Sequence, residues 1–470
     1  MEEEEEILTP ILYPAYIEKQ YRERTLCYFF DYQLVTERGD IHTITEFSTF
    51  LWIIFELNLL VFMLHLASFP WIDEVIRLGD KINTSKNGKF LSIRIRGARN
   101  TTRMIVNAGG WGADELSVEW LQTLRSVYEG AGVGTPGSPG SVGQALFRKC
   151  FKELYGEEDW LDHRHRRPPE PYCEVMRAQA SGARSEVFQL NVAFTRAYEN
   201  DQHNGYGFAL SQSQPTGKCY RVSGKGVLYC KIYFVECVVT IHEQLELGCF
   251  PVRVGEGDNR RPIFPTQPGI YTTWLWNLEI EDCRKIGITV ELKWGFGWKE
   301  TTQDFRPFVE TVARLREEAP DAIKGYFKLI LVSAIGQLGM PSERHFLVSG
   351  DDRQEGDRCL ADAGIAYDWW IHTEPDVYPQ SMPHIFYHTL MLCRRSLYEM
   401  ALRCIHEELN VIALNTDAVF TEIKPDIPEK GTPVETGDWT ALGLHNMRIP
   451  ANRQLISDEK IRGVPKKEKG

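Results

Sequence analysis

The chain has 470 residues, enough for two or three domains of ordinary size. With 43% apolar and 25% charged residues it reads as an ordinary soluble globular protein, which excludes disordered and collagen-like classes. The net charge of −12 excludes a bulk electrostatic case for nucleic-acid binding and leaves only a local basic groove; the run Glu2–Glu6 reads as a solvated acidic tail.

The eleven cysteines form no CxxC pair and no dense framework, which points to reduced thiols in an intracellular protein. The start is acidic where a secretory signal would be basic, so the expected location is intracellular and not secreted, in whichever compartment its partners occupy.

In chain order, the first strong signal is LWIIFELNLLVFMLHLASF, residues 51–69. It approaches the ~20 residues of a membrane span. Glu56, Asn58 and His65 are each costly in hydrocarbon, so a buried core helix is expected instead. GAGVGTPGSPG, residues 130–140, is a loop, and without a following GK[ST] it is no phosphate loop. Ser141 is placed to cap a helix through VGQALFRKCF. DHRHRRPPEP, residues 162–171, marks a boundary; His163, His165 and Cys173 fit no zinc spacing and read as solvated linker.

From residue 183 the texture is strand-rich, as in VAFTRAY, GVLYCKIYFVECVVTI and IGITVELKW. Two helical patterns interrupt it. FVETVARLREE is followed closely by DAIKGYFKLILVSAIGQLG, and SMPHIFYHTLMLCRRSLYEMALRCIHEEL runs into a hairpin, VIALNTDAVF. Strands, helices between them and a closing hairpin predict an α+β fold with a mixed or antiparallel sheet.

Three stretches carry chemistry. In AYENDQHNGYGFAL, residues 197–210, a strand delivers Asp201 to its end, with Tyr206 in the following Asn/Gly-rich turn; alone, turn chemistry explains that Asp. On the paired helices, Arg314, Arg316, Lys324 and Lys328 are spaced so that a cluster could hold a triphosphate, Arg by bidentate contacts and Lys as a point charge. A solvated amphipathic hairpin is the plainer alternative. Ser333, Gly336 and Gly339 thin the second helix for something bulky, a base pair or a neighbouring helix. In VIALNTDAVF the turn is expected at Asn415-Thr416, with Asp417 opening the returning strand. Two carboxylates on neighbouring strands can hold two Mg²⁺ ions roughly 3.5–4 Å apart, the geometry of in-line phosphoryl displacement.

Taken in order, these stretches resemble motifs A, B and C of family-B DNA polymerases, and their spacing resembles the protein-primed branch. DQHNGYG is similar to DxxSLYP at Asp201 and Tyr206. KLILVSAIG is similar to KxxxNSxYG at Lys328, Ser333 and Gly336. ALNTDA is similar to YxDTDS at Thr416 and Asp417. ASGARSEVF resembles the Gly-rich link between exonuclease and polymerase modules, at Gly182 and Arg184, and GDWTALGLHNMRIPANRQL resembles the GxW…KxY region leading into a thumb, with Arg453 at the KxY position. The likeness spans about 180–465. From Asp201 to Lys328 is 127 positions (328 − 201), room for a terminal-protein-type insertion.

The resemblance implies a right-hand polymerase with palm, fingers and partial thumb, behind an N-terminal exonuclease-like α/β domain that is degenerate. The implied layout is 1–179 exonuclease-like, 180–307 first palm part with insertion, 308–345 fingers, 346–380 second insertion, 381–433 second palm part with the motif C hairpin, and 434–470 start of thumb. It implies DNA-directed DNA synthesis with two Mg²⁺ or Mn²⁺ ions on Asp201 and Asp417. Tyr206 would stack on the incoming sugar, Arg316 and Lys328 would bind the triphosphate, and Gly182, Arg184, Ser333, Gly336 and Arg453 would meet DNA. Partners implied are primer–template DNA, dNTPs and a terminal priming protein, with no membrane.

The departures are specific. Asn415 stands where the family has its first motif C Asp, and Val332 and Ile335 replace Asn and Tyr of motif B. In the N-terminal region the nearest approach to a DxE pair is Asp31 followed by Gln33, with Asp114 a remnant, so proofreading is not expected. The alternatives are a catalytically decayed homologue that binds DNA or a replication protein, and a metal-dependent nuclease built on the same carboxylates.

Overall fold

The computed structural model describes residues 24–63, 69–84, 91–96, 102–107, 116–130, 139–156, 167–255, 260–319, 321–340, 343–349, 353–359, 369–375, 381–450, 454–459 and 461–462. His163, His165, Asp114 and Arg453 lie outside the described residues. The chain divides into two compact units, one built from 1–149, 312–334 and 342–377, the other from 150–311, 335–341 and 378–470.

The first unit centres on parallel strands Thr25–Phe30, Leu59–Met63 and Thr102–Asn107, with Leu59–Met63 in the middle. The central strand is buried at every position, as expected of a strand covered on both faces. That corrects the single core helix expected over 51–69. A helix occupies Phe47–Glu56, Asn58 takes a left-handed φ of 54°, and LLVFM continues as strand. A continuous apolar run does not by itself separate a buried helix from a buried parallel strand. No helix among the described residues is long and apolar enough to cross a membrane. Phe29 packs edge-on against Phe50 and Phe69, and Phe69 edge-on against Trp71, in the core of this unit. Strands Glu343–Ser349 and Trp369–Pro375 extend the same sheet, through the pairing of Phe346 with Asn83.

Among its described residues the second unit holds a two-stranded ribbon, Val252–Val254 with Arg261–Ile263, and two larger antiparallel sheets. One runs Gln214–Ser223, Thr289–Thr302, Ile232–Ile241, Gly269–Trp276 in spatial order. Its WGFGW segment alternates large and absent side chains. Trp294, Phe296 and Trp298 join the aromatic core, and a Cβ on Gly295 would fall 2.3 Å from the Phe234 carbonyl oxygen. The other sheet is ordered Ile461–Arg462, Leu455–Ile456, Trp439–Arg448, Ala193–Gln202, Ala418–Thr421, Val411–Asn415, Ser185–Val187.

The helix Pro383–His406 covers one face of that sheet. It starts with Pro at its first position, where no N–H is needed, and ends ahead of Glu408 and Asn410, both with positive φ. His384, His388, Met391, Tyr398, Ala401 and Cys404 recur at helical spacing on its buried side. The lower part of this stripe packs with Leu414 and Val419 of the hairpin. The sheet's other face carries Ala197, Ala413, Ala418, Phe420 and Leu444.

Candidate active site

Asp201 is the last residue but one of Ala193–Gln202. In register it pairs with Ala418 on one side and Thr440 on the other, and Ala418 pairs in turn with Asn415, which pairs with Ser185. Residues paired across strands face the same way, so Ser185, Asn415, Ala418, Asp201 and Thr440 form one row on one face. Ala418 leaves the centre of this row low.

The hairpin turn sits one position later than the sequence placed it, at Thr416 and Asp417. Asn415 is held in the ladder by both neighbours, so the chain reverses after it. Thr416 takes a φ of 60°, unusual for a β-branched residue. Its N–H donates to the Arg184 carbonyl at 2.8 Å, and its hydroxyl lies 2.7 Å from the Asn415 carbonyl and 2.8 Å from Asp417 Oδ1. Thr416 therefore fixes the turn and orients the Asp417 carboxylate.

The structure brings Asp201 and Asp417 to neighbouring positions. The Gln202 N–H donates to the Asp417 carbonyl at 3.0 Å, while Asp201 pairs with the next residue, Ala418. Asp417 Cβ approaches the start of the short helix Gly205–Ser211: a Cβ on Gly205 would lie 3.5 Å from it. Tyr206, second in that helix, is half-buried. Burial first, then the nearby Cys393 and Asp417, push its hydroxyl pKa above the usual tyrosine range, so it stays a neutral phenol. Burial and Asp417 likewise keep the Cys393 thiol protonated.

A residue that no motif indicated joins them. Lys430 Nζ lies 3.8 Å from Asp201 Oδ2. It comes from the loop before Trp439–Arg448, where sequence spacing gives no guide, and only the backbone pairing of that loop to Ala441 reveals it.

The Gly-rich link is tied down from beneath. Arg394 donates to the Ser181 and Gly182 carbonyls at 2.6 and 2.8 Å and pairs with Glu279 at 2.7 Å, both partners being buried. Arg184 is 1% exposed, its guanidinium bonded to Glu186 and the Gly248 carbonyl and lying 4.1 Å over the Phe264 ring. The direct DNA contact expected of Arg184 is therefore replaced by a structural role; Gly182 is partly exposed at the link. Gly437 closes the site's rim at φ 101°: its N–H donates to the His203 carbonyl, and a Cβ there would meet the Phe208 ring at 2.4 Å.

On the helix Asp321–Leu338, Lys328, Val332 and Gly336 are exposed at i, i+4, i+8 and Ser333 is partly exposed. Ile335, by contrast, is buried, so of the two motif B departures only Val332 alters the open face. Gly339 is explained by packing, since a Cβ there would overlap Phe386. Arg316, on Arg306–Glu318, is partly exposed, and Arg314 pairs with Glu318 at 3.2 Å.

In the first unit, Asp31 and Tyr32 both have positive φ and form a two-residue hairpin turn closed by the Phe30–Gln33 pair. The nearest approach to a DxE motif is thus a turn. Among the described residues no group of three or more His, Cys, Asp or Glu gathers as for a metal. Asp201 and Asp417, at adjacent backbone positions, are hard oxygen donors, and Mg²⁺ binds through one or two carboxylates while keeping waters and substrate oxygens, so the donor type of either residue fits such an ion.

Residues 147–362 match the family model of DNA polymerase type B, organellar and viral. Solved structures of Phi29 DNA polymerase align with the chain almost end to end. The ternary complex with primer-template DNA and incoming nucleotide superposes with a TM-score of 0.69 at 14% identity, covering 95% of this chain and 93% of that one. The fold is that of Phi29 DNA polymerase. The post-translocation binary complex of the same polymerase gives a TM-score of 0.67 at 14% identity, covering 95% and 90%, and its complex with single-stranded DNA gives 0.65 at 15%, covering 93% and 89%. No curated protein sequence matches the chain. The family match includes Asp201, Tyr206, Arg316, Lys328, Ser333 and Gly336 and ends before the hairpin, so Asp417 is tied to the polymerase fold by its register beside Asp201.

Proposed function

We propose that this protein is a DNA-directed DNA polymerase that extends a primer by nucleotidyl transfer, starting from a hydroxyl on a terminal protein. The observation that carries the reading is the placement of Asp201 and Asp417 at adjacent register positions, in a chain whose residues 147–362 match the type-B polymerase family. Asp201 and Asp417 are the residues that would hold two Mg²⁺ or Mn²⁺ ions. Bound ions would lower the pKa of the attacking 3′-hydroxyl and stabilise the leaving pyrophosphate. The primer oxygen then bonds to the α-phosphorus as the bond to pyrophosphate breaks.

Thr416 keeps the Asp417 carboxylate aimed. Tyr206, held neutral, offers a ring face to the incoming sugar. Arg316 and Lys328 bind the triphosphate, while Gly336 leaves room beside Lys328 for the nascent base pair. Primer–template DNA, dNTPs and a terminal protein are the partners. With Asp31 in a turn, we propose that the N-terminal unit does not proofread; release of dNMP from a labelled 3′ end would contradict this.

The test is primer extension with Mg²⁺ or Mn²⁺: an active protein silenced by Asp201→Ala or by Asp417→Ala is expected, and incorporation surviving both substitutions would sink the assignment. Covalent transfer of a labelled dNMP to a partner protein tests the priming step. Asn415 favours a second reading, a decayed homologue that only binds DNA. Salt-dependent DNA binding without incorporation, even for Asn415→Asp, would support it.

A further inference from the structure

We propose that Lys430 is a positioning residue of this site, a built-in counter-ion that steadies Asp201 and must yield when a divalent cation binds, so that it sets the metal concentration at which the site fills. The proposal rests on the reading of Asp201 and Asp417 as metal ligands.

The contact is an ion pair, Lys430 Nζ to Asp201 Oδ2 at 3.8 Å, with the carboxylate side chain 21% exposed and the lysine 43% exposed. An exposed pair alone would mean little. Here the lysine's backbone is fixed. The Lys430 N–H donates to the Ala441 carbonyl at 2.8 Å and the Ala441 N–H donates to the Pro428 carbonyl at 2.8 Å, so Ala441 clasps the loop from both sides. The Thr432 N–H donates to the Glu429 carbonyl at 3.0 Å, and Gly431 supplies the φ of 99° that closes the turn. Lys424 adds a bond to Glu429 at 2.9 Å.

Ala441 and Thr440 belong to the strand beside Asp201, so Lys430 starts one strand further out, roughly 10 Å from the Asp201 backbone at ordinary strand spacing. Only a long side chain crosses Thr440 to reach the carboxylate, and the fold presents one.

Electrostatics gives the consequence. An ammonium within ion-pair distance of a ligand carboxylate repels an incoming dication twice as strongly as it would a monovalent ion. A metal entering at Asp201 therefore gains the carboxylate only as Lys430 withdraws toward solvent, which its exposure permits. Removing the lysine charge is expected to tighten metal binding on the order of tenfold at low salt, with the gain fading as ionic strength rises.

The experiment is Mn²⁺ titration of the full chain followed by electron paramagnetic resonance, at low and high salt, for the wild type, Lys430→Met, Lys430→Gln, Lys430→Arg and Asp201→Ala. Lys430→Met and Lys430→Gln are expected to bind Mn²⁺ more tightly than the wild type at low salt, and Lys430→Arg to match it. Unchanged or weaker Mn²⁺ binding in both neutral variants would overturn the proposal, and a lowered melting temperature alongside would make Lys430 a loop anchor only. The two levels separate cleanly. If Asp201→Ala leaves Mn²⁺ binding intact, the metal-site reading itself fails. If Asp201→Ala abolishes binding and the neutral lysine variants change nothing, only the role of Lys430 falls.

Discussion

Acidification is expected to destabilise the second unit through two histidines, His384 and His388. They lie one turn apart on Pro383–His406, 1% and 2% exposed, against the indoles of Trp298 and Trp276 at ring separations of 5.7 and 5.0 Å. His388 Nδ1 lies 2.9 Å from Gln214 Oε1. Burial lowers each from the ordinary 6.5 to about 3; for His384 the charges of Arg167 and His388 act in the same direction. Both are therefore neutral in the folded protein, and the unfolded chain binds more protons below about 6.5. Stability is fully present above that pH and falls as pH drops from about 6.5 toward about 3, by about 1.4 kcal/mol per pH unit for each ring. Between about pH 7 and pH 5 that amounts to about 2 kcal/mol each and about 4 kcal/mol for the pair, a large part of a typical domain's 5–15 kcal/mol. Urea denaturation at the two pH values measures it, with His384→Asn/His388→Gln as the comparison. The double variant is expected to lose much less stability on acidification than the wild type. Equal losses in both would refute the reasoning.

Three further outcomes are expected. Arg394→Met strands the buried Glu279 carboxylate and frees the Ser181 and Gly182 carbonyls, at a cost of about 3–5 kcal/mol in denaturation; Arg394→Met/Glu279→Met should recover only the part due to the stranded charge, because it leaves both carbonyls unpaired and removes the Glu279 cap on the Trp276 N–H. Gly437→Ala places a Cβ against Phe208 at a φ of 101° and should cost about 1–3 kcal/mol, with lowered nucleotide incorporation because Phe208 shares its short helix with Tyr206. Asn415→Asp adds a charge in the Asp201 row, two strands away across Ala418; single-nucleotide incorporation should rise, by less than about tenfold because the added charge is roughly 10 Å off.

The site was legible where short polar patterns interrupt apolar runs. Asp201 at a strand end, Lys328 and Gly336 on one helix face and Asp417 at a hairpin all stand in the elements the sequence indicated, and the Pro383–His406 helix does lead into that hairpin. Legibility failed where tertiary pairing decides. Residues 59–63 form a strand because parallel neighbours bury both faces, which no periodicity encodes. The hairpin turned one residue late because Ser185 claims Asn415 for the ladder. The strands at 343–349 and 369–375, at and within the expected 346–380 insertion, join the first unit's sheet through a distant partner at Asn83, a pairing that no local pattern carries. Arg184, expected from the family resemblance to meet DNA, is a core residue in the fold. Lys430 had no pattern at all, since a bridge between one loop and a strand depends on where both come to rest.

Single-turnover incorporation of one dNMP by the wild type, Asp201→Asn, Asp417→Asn and the double variant tests the central claim most directly. Two carboxylates acting as one centre predict that each single change removes nearly all incorporation and that the double change removes little more. Wild-type incorporation that persists in either single variant, or single losses that simply multiply in the double, would contradict a shared site at Asp201 and Asp417.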